Sequence, residues 1–188
     1  MSAVQLRRWT RQEYHQLAES GVLRPDERVE LIEGEIVEMP PQLSPHATGV
    51  CLAEDALRAA FGPGFVVRAQ LPLALGEYSE PEPDVAVVVG GPRDYAKAHP
   101  TTAVLVVEVS DATLAFDRNV KASLYAAAGI PEYWIVNLVH RQLEVHCDPG
   151  ALPEARYGFG YRVRTIARPG EVVAAPSGGR VAVDDLLP

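Results

Sequence analysis

Residues 82–110 read EPDVAVVVGGPRDYAKAHPTTAVLVVEVS, and this stretch decides the fold. It holds two apolar, valine-rich runs, VAVVV at 85–89 and AVLVVEVS at 103–110, separated by a polar segment with glycine and proline. The runs are nearly continuous rather than alternating between apolar and polar residues, which is typical of strands covered on both faces. We therefore predict two central strands of a sheet, with other elements packed on each side.

The residues before this stretch predict two helices and several strands. Thr10 and Glu13 have the spacing of a capping box at the start of a short helix, which Gly21 follows. A second helical pattern begins at Pro45 and ends at Gly62. The other predicted elements are a hairpin over 28–39 that turns at Glu33-Gly34 and strand-like runs at 65–70 and 71–76.

The residues after it predict a third helix and further strands. The helix covers 116–129 and directs four apolar residues inward: Phe116, Val120, Leu124 and Ala127. A hairpin pair is predicted at 133–137 and 141–147, with strands at 161–167 and 171–176. We expect one α/β domain over 1–188, a mixed sheet flanked by helices, made of an N-terminal helix and hairpin (1–40), a catalytic core (41–140) and C-terminal strands (141–188).

Composition fits an ordinary globular domain. Of the 188 residues, 47% are hydrophobic and 22% are charged, which excludes a disordered chain. Cys51 and Cys147 lie far apart and outside any CxxC spacing, which excludes a disulfide framework or a zinc knuckle. No run of 18 apolar residues occurs and the start lacks the apolar core of a signal peptide. We expect no membrane partner and a cytoplasmic location.

Charge patterning bears on the partners of this chain. The net charge is −8, from 17 basic and 25 acidic residues, the wrong sign for a passive polyanion binder. Residues 141–188 hold as many arginines as acids, so the acidic excess lies in residues 1–140. A concentrated acidic site and an ordinary solubilising surface both explain this excess. The chain has only two lysines, Lys97 and Lys121, in a sequence that otherwise uses arginine.

Two acids stand at the ends of the predicted central strands. Asp84 comes directly before the first run, and Glu108 interrupts the second near its end. A glutamate inside an apolar strand is costly unless it is paired, hydrogen-bonded or bound to a metal. If the strands are neighbours, the two carboxylates could share a magnesium ion that water and a substrate phosphate complete. Alternatively, Asp84 caps a turn after Pro83 and Glu108 pairs with an arginine.

The helix after the second strand offers a positive charge. Asp117, Lys121 and Tyr125 are spaced four apart and share one face beside the apolar stripe. Lys121 could reach across the strand end toward Glu108, where lysine, as a compact charge, can orient or deprotonate a water. The alternative is a surface Asp-Lys pair that stabilises the helix by a few tenths of a kcal/mol.

Five segments together resemble the Uma-type endonuclease family of the PD-(D/E)XK restriction-endonuclease-like superfamily. They are ELIEGEI (30–36), SPHA (44–47), EPDVAVV (82–88), LVVEVSD (105–111) and DRNVKASLYAAAGIPEYWIV (117–136), in the family's order and spacing. The most specific part is the DxxxKxxxYxxxGxxEYW pattern from Asp117 to Trp134. The resemblance implies a core of mixed β-strands flanked by helices and magnesium-dependent phosphodiester hydrolysis, with manganese as an alternative metal.

The resemblance also assigns roles to residues. Asp84 and Glu108 match the metal-binding acids, and Glu30 matches an additional acid from the N-terminal region. The superfamily usually has a lysine two positions after the second acid, where this chain has Ser110, so the resemblance moves that role to Lys121. Three further residues are candidates for accessory roles: His46 in the PH segment, Gln70 on a strand, and Tyr125.

Three functions follow from this reading. The first is a magnesium-dependent endonuclease acting on DNA, in which Arg162 and Arg164 contact phosphates, although both could equally be solvated edge residues. The second, motivated by the acidic charge, is a catalytically silent nuclease-like fold used as a binding or oligomerisation module. The third, a hydrolase of small phosphorylated substrates, would share the metal site. A homodimer would let two sites address two strands.

Overall fold

The structure is a computed structural model that describes residues 6–24 and 26–188. Along the chain its helices are α1 (Arg11–Glu19), α2 (Ser44–Phe61), α3 (Leu114–Phe116) and α4 (Ala122–Ala127), with a π-helical segment (Asp117–Lys121) joining the last two. Its strands are β1 (Val29–Ile32), β2 (Glu35–Glu38), β3 (Phe65–Ala69), β4 (Val85–Val89), β5 (Leu105–Ser110), β6 (Glu132–Asn137), β7 (Gln142–Ala151), β8 (Phe159–Ala167), β9 (Val172–Ala174) and β10 (Arg180–Ala182).

A six-stranded mixed sheet forms the centre of the molecule. Its strand order is β3-β4-β5-β6-β7-β8, and β5 and β6 are the parallel pair because the helical segment between them crosses over the sheet. The neighbouring strands otherwise run antiparallel. The pairs β1-β2 and β9-β10 form separate hairpins. The predicted α/β fold with a mixed sheet, flanking helices and additional hairpins is confirmed.

Both faces of the central strands are covered, as the continuous valine runs predict. On one face, α2 packs Val50, Ala53, Leu57 and Phe61 over alternate residues of β4, β5 and β6. On the other face, α4 packs Leu124 and Tyr125 over the intervening residues of the same strands. These include Ala86, Val106 and Ile135. The side chains of β5 are buried along its whole length, so a charged residue there must have partners.

The N-terminal elements form as their local signals predict. Thr10 and Glu13 complete a capping box at the start of α1. Glu33 and Gly34 have φ angles of 50° and 84°, which make the tight turn between β1 and β2. The Glu80 N–H donates to the Leu31 carbonyl oxygen at 2.7 Å, and this bond ties β1 to the segment that leads into β4. This bond thereby also holds Glu30, the residue before Leu31, near the sheet.

Two local predictions are wrong. Residues 71–76 form no strand, because Pro72 lacks an N–H and the N–H groups of Leu73 and Ala74 donate to Pro81 and Pro100, in two different segments. Ala127 is exposed although the helical period places it inward. The π-helical segment is the reason: its i→i+5 hydrogen bonds make a wider turn that shifts the phase of every later residue. The hairpin strand β10 was not predicted.

Candidate active site

Asp84 and Glu108 face each other across β4 and β5. Val85 pairs with Val107 in an antiparallel register, which sets Asp84 opposite Glu108. The Asp84 N–H donates to Glu108 Oε2 at 3.1 Å, and the Val109 N–H donates to Asp84 Oδ2 at 2.8 Å. Both side chains are buried. Main-chain donors therefore hold both carboxylates at one sheet end.

Lys121 joins Glu108 to Glu30. Its Nζ lies 2.5 Å from Glu30 Oε2 and 3.2 Å from Glu108 Oε1, and the Lys121 side chain is only 1% exposed. The Tyr125 hydroxyl also donates to Glu108 Oε1, at 2.7 Å. The alternatives of an arginine partner for Glu108 and of a surface position for Lys121 are wrong. One lysine, two carboxylates and a phenol make one buried network.

The electrostatics of this network follow from its burial. Burial raises the pKa of Glu108 to about 8; the charge of Lys121 opposes the rise, and that of Asp84 adds to it. Burial would lower the pKa of Lys121, but the charges of Glu108 and Glu30 outweigh it and the pKa lies well above its ordinary value. The two carboxylates therefore favour the charged form of Lys121. Desolvation and charge crowding of this kind are typical of functional sites.

Asp117 and Lys121 stand at the two ends of the π-helical segment, and both side chains are buried. Asp117 Oδ2 accepts hydrogen bonds from the Ser110 hydroxyl at 2.6 Å and the Thr113 hydroxyl at 2.7 Å. Burial raises the pKa of Asp117, and these two hydrogen bonds oppose the rise. Ser110, two residues after Glu108, therefore binds the helix through a short hydroxyl. This leaves the space beside Glu108 to the Lys121 ammonium.

His46 and Gln70 both approach Asp84. His46 Nε2, in the first turn of α2, lies 3.1 Å from Asp84 Oδ2. Gln70 Nε2 lies 3.4 Å from Asp84 Oδ1, and the Gln70 N–H donates to the Asp84 carbonyl oxygen at 3.1 Å. The hydrogen bond to Asp84 raises the pKa of His46, although burial opposes this. The three accessory candidates, Tyr125 included, all contact one of the two acids.

An acidic cavity opens beside these carboxylates. Arg28 and His46 are the basic side chains among its lining residues, against six acids: Glu30, Glu82, Asp84, Glu108, Asp111 and Asp117. With His46 neutral, the lining carries a surplus of five acids over arginine. The acidic excess of residues 1–140 is therefore concentrated in part at one site. Glu82, Asp111 and Arg28 were not predicted, because nothing in their local sequence separates them from solvated charges.

Two comparisons with known proteins bear on this site. A family model described as "Uma2: Putative restriction endonuclease" matches residues 11–177. The chain belongs to the Uma2 family. The family resemblance inferred from the sequence segments is thereby confirmed, and the family supports a nuclease. No curated protein matches the chain.

A solved structure also resembles this Uma2-family chain. It is a putative nuclease belonging to DUF820 from Anabaena variabilis ATCC 29413, with a TM-score of 0.68 and 16% sequence identity. The match covers 94% of this chain and 96% of that one. At this identity the likeness shows a shared fold over nearly the whole of both chains.

Among the described residues, no helix is both long enough and apolar enough to cross a membrane.

The donor chemistry of this Uma2 site suits a magnesium ion. Within residues 6–24 and 26–188, no three His, Cys, Asp or Glu side chains form a ready-made metal cage. Mg²⁺ does not require one, because it keeps several waters and binds proteins through one or two carboxylates and a substrate phosphate. Asp84 and Glu108 offer two hard oxygen ligands on adjacent strands, both lining the cavity. They are the residues that would hold the ion.

The structure does not bring Arg162 and Arg164 to this cluster. Both lie on β8, the last strand of the sheet, where Arg162 pairs with Asp148 and Arg164 with Glu144. Glu144 is fully buried and also accepts two hydrogen bonds from Arg118. The sequence analysis missed Arg118 and Glu144. Glu144 stands between two apolar residues in the run LEV, and the same alternation is found in an ordinary hairpin strand.

Proposed function

We propose that this protein is a magnesium-dependent nuclease that hydrolyses phosphodiester bonds of DNA at the Asp84–Glu108 site. The observation that carries the proposal is the position of the Lys121 ammonium. Its Nζ lies 3.2 Å from Glu108 Oε1, and Lys121 belongs to the π-helical segment rather than to strand β5. Two carboxylates can hold a divalent cation, and one ammonium can stabilise negative charge on a phosphoryl oxygen. They come together here from three separate segments of the chain.

The acidity of the cavity supports a cation cofactor. Even with Lys121 beside two of the six lining acids, the acids outnumber the basic side chains, so a bound divalent cation would offset the repulsion of a phosphate anion. When bound, Mg²⁺ would polarise the scissile phosphate and lower the pKa of a bound water. Asp84 and Glu108 hold their oxygens in place through the main-chain bonds from Val109 and Asp84.

The remaining residues of the site position its carboxylates and stabilise negative charge on the substrate. Because its pKa is raised, Lys121 stays charged and acts as an electrostatic group rather than as a general base. Its ammonium can orient a water and stabilise negative charge that develops on the phosphoryl oxygens. Glu30 fixes the Lys121 side chain from β1, and Tyr125 fixes Glu108. His46 and Gln70 hold Asp84 from the other side.

The test is cleavage of supercoiled plasmid and of single-stranded DNA with Mg²⁺, Mn²⁺, Ca²⁺ or EDTA. We expect nicking or linearisation with Mg²⁺ or Mn²⁺, and none with EDTA. Asp84→Asn should abolish cleavage, whereas the matched control Asp55→Asn, at an exposed position of α2, should cleave as wild type does.

Calorimetric titration of Mg²⁺ and Mn²⁺ into the wild-type protein separates the alternatives. Metal binding without cleavage of any DNA would point to a different phosphorylated substrate. Neither metal binding at millimolar concentration nor cleavage would overturn the proposal in favour of a catalytically silent binding or oligomerisation module.

A further inference from the structure

A second buried acid organises two arginines on the sheet face that carries Glu108. Glu144 on β7 is fully buried, and its two carboxylate oxygens accept five hydrogen bonds. Oε1 accepts from Arg118, Asn137 and Gln142, and Oε2 from Arg118 and Arg164. Arg118 uses its Nε and Nη2 in a two-pronged contact, at 3.1 and 2.5 Å. The acid therefore fixes both guanidiniums in a single geometry.

The two guanidiniums keep donors for another anion. A guanidinium has five N–H donors. Arg118 spends two of them on Glu144, which leaves three, and Arg164 spends one, which leaves four. Their side chains are 31% and 42% exposed. The two arginines and Glu144 together carry a net charge of +1. Glu144 is buried, whereas both arginines are partly exposed to solvent.

The strand register places this pair on the same sheet face as Glu108, two strands away from it. Glu108 pairs with Ile135 on β6, and Ile135 pairs with Glu144 on β7, so all three side chains lie on one face. Two inter-strand steps separate the Cα atoms of Glu108 and Glu144 by roughly 10 Å. Arg118 also directly follows Asp117, which lines the cavity.

We propose that Arg118 and Arg164 form a subsite for a backbone phosphate of the nucleic acid, a few nucleotides from the bond that is cleaved. The inference rests on the proposed function, because that function makes a polyphosphate chain the substrate. Arginine suits the role, since its planar fork matches two oxygens of one phosphate. Glu144 is a positioning residue that holds the fork ready. The subsite would also offset locally the acidic net charge of the chain.

The experiment measures binding without catalysis. A fluorescein-labelled 20-base-pair duplex is titrated by anisotropy in Ca²⁺, a cation that also takes oxygen ligands, over a series of salt concentrations, with wild type, Arg164→Gln, Arg164→Lys and Arg162→Gln. Arg162 is the matched control: it lies on the same strand two residues away, is similarly exposed, and pairs with the exposed Asp148.

We expect Arg164→Gln to weaken binding about tenfold, the scale of one charge-assisted hydrogen bond. The slope of log K against log salt should also fall by about 1, because one phosphate contact is lost. Arg164→Lys should keep the slope and lose part of the affinity. Arg162→Gln should change neither quantity by more than about twofold.

Three results would overturn the subsite. A slope unchanged in Arg164→Gln would mean that Arg164 only braces Glu144, even if the melting temperature falls. Equal losses in Arg162→Gln and Arg164→Gln would mean that charge anywhere on β8 acts non-specifically. Binding that survives Arg164→Gln at full strength, in a protein whose wild type cleaves DNA, would refute the subsite and leave the proposed function standing. A wild type that neither binds nor cleaves DNA would refute the proposed function itself.

Discussion

Replacing Lys121 by methionine tests the centre of the site. The Lys121→Met change keeps most of the side-chain volume and removes the single positive charge that lies between Glu30 and Glu108. Removing one partner of a buried ion pair costs about 3–5 kcal/mol, since the other charge is left uncompensated. Here Glu108 can take up a proton once the ammonium is gone, because burial raises its pKa. We therefore expect the lower end, about 3 kcal/mol at pH 7.

That loss is measurable in a thermal melt in EDTA. For a chain of this size 1 kcal/mol corresponds to about 2–4 °C, so the melting temperature should fall by about 6–12 °C. Adding Glu30→Gln to Lys121→Met removes the negative charge of Glu30, which has lost its cation, and should recover part of the stability. Lys97→Met, at the exposed position of the only other lysine, is the control and should melt as wild type does.

The same variants report on catalysis. Lys121→Met should lower the rate of DNA cleavage by ~10²-fold or more, the scale of one electrostatic donor to the transition state. Metal affinity should stay nearly unchanged, because the lysine is not a ligand. Lys121→Arg should rescue poorly, since a planar fork cannot replace a compact ammonium in this space. A Lys121→Met protein that melts within about 2 °C of wild type and cleaves at the wild-type rate would refute the reasoning.

Further predictions concern other buried acids. Asp84→Asn should leave the melting temperature in EDTA unchanged or higher, because the charge of Asp84 destabilises the ionised form of Glu108; a clear drop would instead favour a structural cap. Burial raises the pKa of Glu144, but hydrogen bonds from Arg118 and Asn137 outweigh it and lower the pKa to about 2. Its stabilising contribution should thus be complete above pH 4.5 and be lost as the pH falls toward 2, by up to about 3 kcal/mol. Chemical denaturation at several pH values should show a shallower loss over that window in Glu144→Gln than in wild type.

Much of the fold was open to prediction because its signals are local. Continuous valine runs predicted strands covered on both faces, the capping box predicted α1, and Glu33-Gly34 predicted a tight turn. The failures were local too: residues 71–76 have the composition of a strand, but their N–H groups bond to separate segments. The π-helical segment displaced Ala127 to the surface, and a simple 3.6-residue period cannot anticipate that wider turn.

The candidate site divides in the same way. By itself the sequence determined that Asp84 and Glu108 stand at the ends of buried strands and that one lysine follows on a helix, because burial makes a charge in an apolar run conspicuous. Only the tertiary structure decided that Lys121 bonds to Glu30, 91 residues away, and that Glu144 holds Arg118 and Arg164. Such pairings depend on strand register and on the rotation of a helix over the sheet. Both are set by the packing of the whole core rather than by neighbours in the chain.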